Sequence, residues 1–145
     1  MEAIYTAAIV AGSILAFALF WAFVVWLISR LSGWGTLAEQ YPERRPWDAT
    51  CWRMQSARFR GSSNYNGVLK VCADMEGIHV STIFPFNVGH RPFSVPWYEI
   101  EGREQQRFLF REVELRFQRA PKLPMRISPA LAARLVQASG GAWRY

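Results

Sequence analysis

Charge is almost missing from the first fifth of this 145-residue chain: between Met1 and Ser29 the only charged side chain is Glu2. Cysteine and histidine are scarce throughout, with two of each. Two cysteines exclude a small domain stapled by several disulfides, and they complete a four-ligand zinc site only by recruiting both histidines. His79 and His90 do not stand in a metal-ligand spacing, so neither a metal nor a cofactor is expected. His79 alternates with core-facing strand residues and is predicted to be partly exposed. No glycine-rich phosphate loop is present, because Gly61-Ser62-Ser63 lacks the lysine and the following helix such a loop needs. No serine has the nucleophile-elbow context of a hydrolase. Glu99, Glu101, Glu104, Glu112 and Glu114 alternate with arginines, which reads as solvated cross-strand charge. The aromatic residues follow core periodicity, so a stacking platform for nucleic acid is not expected. These absences point away from an enzyme.

What is present first is a long apolar run. Residues 4–28 contain no charge, and at 1.5 Å per residue they make about 37 Å of helix, enough to cross a hydrocarbon core of about 30 Å. A cleaved signal peptide fits poorly, since Met1-Glu2-Ala3 has no basic residue and the apolar run is too long. Of the 17 basic and 11 acidic residues, only Glu2 precedes Arg30, so the remainder alone carries 17 − 10, or +7. Arg30, Arg44 and Arg45 follow the span, and the positive-inside rule then puts the N-terminus outside and the C-terminal domain in the cytoplasm. Cys51 and Cys72 are accordingly expected to be reduced thiols, buried as small hydrophobes.

Within the span, Ala8, Gly12 and Ala16 recur every four residues and form a small-residue stripe suited to close helix packing. Trp21 lies away from the interface, where its N–H lacks water, which favours a protein neighbour. Trp26 and Trp34 suit the interface. The organisation read from the chain is a transmembrane helix (1–31), a juxtamembrane joint (32–47) and a β-rich domain (48–145). In the joint, Thr36 and Glu39 have the spacing of a capping box for a short helix near the headgroups. Arg44 and Arg45 are candidates for contact with anionic lipid.

The domain reads as antiparallel strands followed by one helix, an α+β arrangement. Strands are predicted from Trp47 to Arg60 with Trp52, Met54 and Ser56 on one face, then over 68–73, 78–84, 93–97, 108–110, 113–117 and 125–127. Asn66-Gly67 signals a hairpin turn, and the proline at 96 an edge or bulge position. Ser128-Pro129 starts a helix that runs to Ala138, with Leu131 and Leu135 on its apolar face. A curved sheet or small barrel capped by this helix is the expected closure.

Pro96-Trp97-Tyr98-Glu99-Ile100, placed after a hydrophobic loop, resembles the pleckstrin-homology (PH) and GRAM-like superfold. Gly33-Trp34, Leu37-Ala38-Glu39 and Tyr41, together with the span, resemble a group of uncharacterised bacterial single-span proteins. The resemblance implies a PH-like domain at the bacterial inner membrane and no particular activity. Arg58 and Arg60 stand where lipid-binding members of the superfold hold headgroup phosphates, and join Arg44 and Arg45 as anion candidates. In the loop 84–93, Phe86, Val88, His90 and Arg91 are candidates for docking on a protein or membrane, the alternative being that the loop packs back over the open end of the barrel. The expectation is an accessory subunit of a larger membrane complex, contacting other membrane-protein subunits through Ala8, Gly12, Ala16 and Trp21 and through that loop. A lipid-headgroup-binding module is the alternative, and an unrecognised enzyme the third reading.

Overall fold

The computed structural model describes residues 1–44, 49–60 and 63–145. Helix α1 covers Glu2–Ser32 without a break. It is long and apolar enough to cross a membrane. Gly33, at φ +84°, ends α1 in the left-handed region and starts α2, Trp34–Gln40. A Cβ at Gly33 would also run into Leu123, so glycine serves both the bend and the close approach. Helix α2 begins two residues before Thr36 and has no side-chain cap, so the predicted capping box is not formed. Nor does α2 lie out among headgroups. Trp34, Leu37, Ala38 and Tyr41 are buried in the core, because the single-residue turn folds α2 directly onto the sheet.

Among the described residues seven antiparallel strands follow: β1 (Thr50–Phe59), β2 (Ser63–Ala73), β3 (Gly77–Thr82), β4 (Phe93–Pro96), β5 (Ile100–Arg107), β6 (Phe110–Phe117) and β7 (Ala120–Ile127). Their order is β4-β3-β2-β1-β7-β6-β5. The two edge strands, β4 and β5, do not pair, so among the described residues the sheet stays open and the barrel alternative is not realised. A 3₁₀ turn, Trp97–Glu99, links them. Pro96 closes an edge strand, as a residue without an N–H requires. Helix α3, Pro129–Ala138, is capped by Ser128, whose Oγ accepts the Leu131 N–H at 3.2 Å, and it buries Leu131, Ala132 and Leu135.

Three local expectations are corrected. Asn66-Gly67 lies inside β2 rather than in a turn, with Gly67 at φ +69° and its N–H on Ser56 Oγ at 2.7 Å. The register shifts here and again between Trp52 and Gln55, with Met54 at φ +55°, so the strict alternation read for β1 fails and Ala57 and Phe59 point inward. Phe108-Leu109 is a hairpin turn, not a strand, because Arg107 pairs with Phe110 across it. The cysteines are corrected too. Cys51 and Cys72 face each other in register across β1 and β2, 4.0 Å apart at Cα, and form a disulfide. They are therefore not separate thiols, and Cys51 is exposed.

Candidate functional site

Where α1 meets the sheet, aromatic rings and a short polar chain converge. Trp34 is fully buried, and its indole packs 5.0–5.5 Å, centroid to centroid, from Phe59, Tyr65, His90 and Phe93. Its Nε1–H donates to the Arg91 carbonyl at 2.8 Å. Trp34 is thus a core anchor rather than an interfacial residue. The sequence concealed this, since a tryptophan just past a span looks the same in either role.

Beside it runs a polar chain. His90 Nδ1–H donates to the Val88 carbonyl at 2.9 Å, which leaves Nε2 to accept from the Tyr65 hydroxyl at 2.8 Å. Tyr65 in turn takes the Ser32 Oγ–H, also at 2.8 Å. Burial lowers the His90 pKa against the opposing pull of the Val88 carbonyl, and keeps the imidazole neutral. Burial likewise pushes the Tyr65 phenol up to about 12, against the lowering effect of Ser32. The chain ends on backbone and locks three segments together: the end of α1, β2 and the loop before β4. His90 was expected as a surface docking residue. It is buried, because the loop folds it under Trp34.

The loop itself leans on α1. Trp21 Nε1–H donates to the Pro85 carbonyl at 3.3 Å, and its ring lies 5.3 Å from that of Phe86. The protein neighbour expected for Trp21 is therefore the chain's own loop. Gly89 (φ +69°) passes so near Trp26 and Ser29 that a Cβ would sit 3.0 Å from both. Phe86 is half-buried by these contacts, whereas Val88 and Arg91 remain exposed. Ala8, Gly12 and Ala16 are exposed, with nothing within 4 Å of a Cβ at Gly12.

The arginines proposed for anions have protein partners instead. Arg58 is buried, and its Nη2 donates to both carboxylate oxygens of Glu112 at 2.9 and 3.1 Å. Arg60 reaches the Leu31 carbonyl at 3.3 Å, at the negative end of α1. Arg44 pairs with Glu76 at 2.9 Å on the surface. Arg45 lies outside the described residues. The carboxylates also divide: Glu101 and Glu104 are solvated as expected, while Glu99 and Glu114 are buried. Glu99 takes a bidentate pair from Arg119 at 2.9 and 3.0 Å. Arg119 lies over the Tyr41 ring and reaches the Gln40 carbonyl, binding α2 to the β6–β7 turn. Burial raises the Glu114 pKa, but the hydrogen bond and charge of Arg116, then Arg126, outweigh it and hold the carboxyl low.

Two groupings escaped the sequence reading. His79 is buried, not partly exposed: Nδ1 lies 2.6 Å from Ser94 Oγ and Nε2 lies 3.0 Å from Asp74 Oδ2. Burial raises the Asp74 pKa, yet the hydrogen bonds of His79, Gly77 and Glu76 bring it below the usual range. The residue types are those of a nucleophilic triad, but Ser94 is buried and its Oγ accepts the Arg44 N–H at 2.9 Å. The hydroxyl fastens the joint to the edge strand. The second grouping is the β5–β6 hairpin tip, Phe108-Leu109-Phe110, all three largely exposed and Leu109 at 93%. It overhangs an open cleft of about 950 Å³ lined by Met54, Arg58, Asn64, Arg111 and Arg126 among others. Adjacent apolar residues read as strand, and only the flanking Arg107 and Arg111 marked them as a surface feature.

Among the described residues no cluster of His, Cys, Asp or Glu could hold a metal ion. Comparison with protein-family models, curated proteins and solved structures gives no match.

Proposed function

We propose that this chain is a non-enzymatic, single-span membrane protein that serves as an accessory subunit of a larger membrane complex in the bacterial inner membrane. Its β-domain, a PH-like fold in this reading, is held at a set position against the bilayer. The observation that carries the reading is the contrast along α1. Residues 2–20 are all exposed, whereas Val25, Ser29 and Ser32 are buried where the helix meets the domain. Only Gly33 separates the helix from the core residue Trp34, so the domain is not a ball on a string. Retention of the helix in the mature protein is supported by the same contacts, because a signal peptide removed after Ser29 would unseat Trp21, Trp26 and their loop.

The PH-like assignment rests on the strand order, the C-terminal helix and the Pro96-Trp97-Tyr98-Glu99-Ile100 segment. The cytoplasmic placement rests on Arg30, Arg44 and Arg45. The Cys51–Cys72 bond pulls the other way, since cytosolic disulfides are rare. The headgroup-binding alternative loses support from the internal pairing of Arg58 and Arg60. Affinity purification of the full chain from detergent-solubilised membranes tests the main reading. Membrane partners are expected with the wild type and their loss with Gly12→Leu, which thickens the helix stripe. Recovery of the protein alone from both would sink it.

A further inference from the structure

Depth along α1 assigns a place to the loop that leans on it. The charge-free stretch Ala3–Ser29 has 27 residues, and a hydrocarbon core takes about 20. Every window of about 20 residues inside that stretch includes residues 10–22, and so includes Trp21. In the lowest placement Trp21 is one residue inside the hydrocarbon boundary, and in the highest it is eight, or about 12 Å, inside. Pro85 and Phe86 touch Trp21. Whatever the placement of the span, this part of the loop is carried to the acyl boundary or beneath it.

The loop has the composition for that position. Ile83, Phe84, Pro85, Phe86 and Val88 are apolar, Asn87 is the one polar side chain before Gly89, and no charge appears until Arg91. Phe84 is 81% exposed, on a loop whose other face is taken by Trp21, Trp26 and Ser29. Non-helical backbone is costly in hydrocarbon unless its polar groups are met internally. Several are. The Ile83 N–H is bound to the Val68 carbonyl at 2.8 Å and the Phe86 N–H to the Ile83 carbonyl at 2.8 Å. Pro85 has no N–H, and its carbonyl takes the Trp21 indole. The His90 N–H meets the Asn87 carbonyl, and His90 Nδ1–H meets that of Val88.

We propose that Ile83–Val88 is a second, non-helical membrane element that inserts into lipid beside α1, with Phe84 and Val88 against acyl chains. The proposal rests on the reading of α1 as a membrane span. The occupant of the loop's exposed face is lipid, not a protein, because Phe84 is exposed on a segment that its Trp21 contact sets at the depth of the span. Two anchors from one rigid body then fix the tilt of the domain as well as its distance from the bilayer.

Nitroxide labels test this on the full chain in a Cys51→Ser, Cys72→Ser background, reconstituted in phosphatidylcholine–phosphatidylglycerol vesicles. Labels go at Phe84→Cys, at Ile14→Cys within the span and at Met75→Cys on the exposed β2–β3 turn. Relaxation by oxygen, which partitions into lipid, is compared with relaxation by a water-soluble nickel chelate. The expected result is that the Phe84 label loses nickel relaxation to the level of Ile14 while keeping oxygen relaxation, and that Met75 does the reverse. Nickel relaxation at Phe84 equal to that at Met75, with Ile14 protected, overturns the inserted loop and leaves the span intact. Nickel access at Ile14 overturns the span reading and the loop with it. A Phe84 label shielded from both reagents means that protein covers the loop, and also overturns the proposal. Retained protease resistance of the unlabelled background confirms that the domain is folded.

Discussion

One continuous helix has two surroundings in this molecule. From Glu2 to Phe20 every residue of α1 is exposed, while from Trp21 to Ser32 it is a wall of the β-domain. The upper part is apolar and exposed, long enough together with the rest of α1 to cross a membrane. The lower part is also mainly apolar, but alternates exposed Phe23, Leu27 and Leu31 with buried Val25, Ser29 and Ser32. The difference shows that an apolar helix can carry two jobs with no break between them. What separates them is not hydropathy but two serines, a glycine and the tryptophan after it.

The largest expected effect comes from breaking the anchor of the lower part. Trp34→Ala removes a fully buried indole that packs on four rings and bonds the Arg91 carbonyl, a loss of about 3–5 kcal/mol for a large-to-small core change. Phe17→Ala, in the upper part, should leave domain stability unchanged. Urea unfolding of the detergent-solubilised full chain measures both. Equal effects would erase the distinction between the two parts.

The sheet has its own staple, independent of α1. In the chain-entropy picture, a bond closing a loop of about 20 residues contributes roughly 3 kcal/mol, so under oxidising conditions Cys72→Ala should lower domain stability by about that amount. The Trp21–Phe86 contact should survive. Acid-quenched alkylation of whole cells checks the side of the membrane at the same time. Two free thiols would fit a cytoplasmic domain and remove this staple in the cell, while a blocked pair, as the structure has it, would place the domain on the oxidising side.

A smaller effect follows from His90, which links the two regions. Its pKa is lowered from 6.5 in the fold by burial, so the unfolded chain takes up a proton at a higher pH than the folded one does. Stability is then complete above about pH 6.5 and falls as the pH drops below that value toward the folded pKa. His90→Gln should abolish the slope in this window, and unfolding midpoints between pH 8 and 5 decide it. An unchanged slope in the variant would assign it to another group.

Much of the fold could be read from the chain because it rests on local signals. The long apolar helix follows from hydropathy, α3 from Ser128-Pro129, and the edge, one of the two positions that Pro96 left open, is where β4 lies. The α+β order of strands then helix came from alternation and turn residues. The site was less legible, because its members are far apart in sequence. Ser32, Tyr65 and His90 carry no common motif, and only the fold brings them together. Ser94, His79 and Asp74 stand in an order that no elbow marks. Asn66-Gly67 misled because a glycine at positive φ serves a bulge as well as a turn. The cysteines misled because pairing depends on register, and two bulges in β1 lie between the local pattern and that register.

The smallest expected effect is a gain, and it sharpens the contrast between apolar surface that the chain uses and apolar surface that it leaves bare. Phe108 occupies the first position of a two-residue hairpin turn at φ +50°, where a side chain costs about 1–2 kcal/mol and glycine costs nothing sterically. Its ring is exposed, so removing it forfeits little burial. Phe108→Gly should therefore raise domain stability, by at most about 1 kcal/mol once the greater freedom of glycine in the unfolded chain is subtracted. Urea midpoints of the full chain in detergent measure the change. A loss of stability would mean that the ring packs against the fold after all. A gain would mean that the tip keeps an exposed aromatic at the expense of its own turn, which folding alone does not explain and contact beyond the chain does.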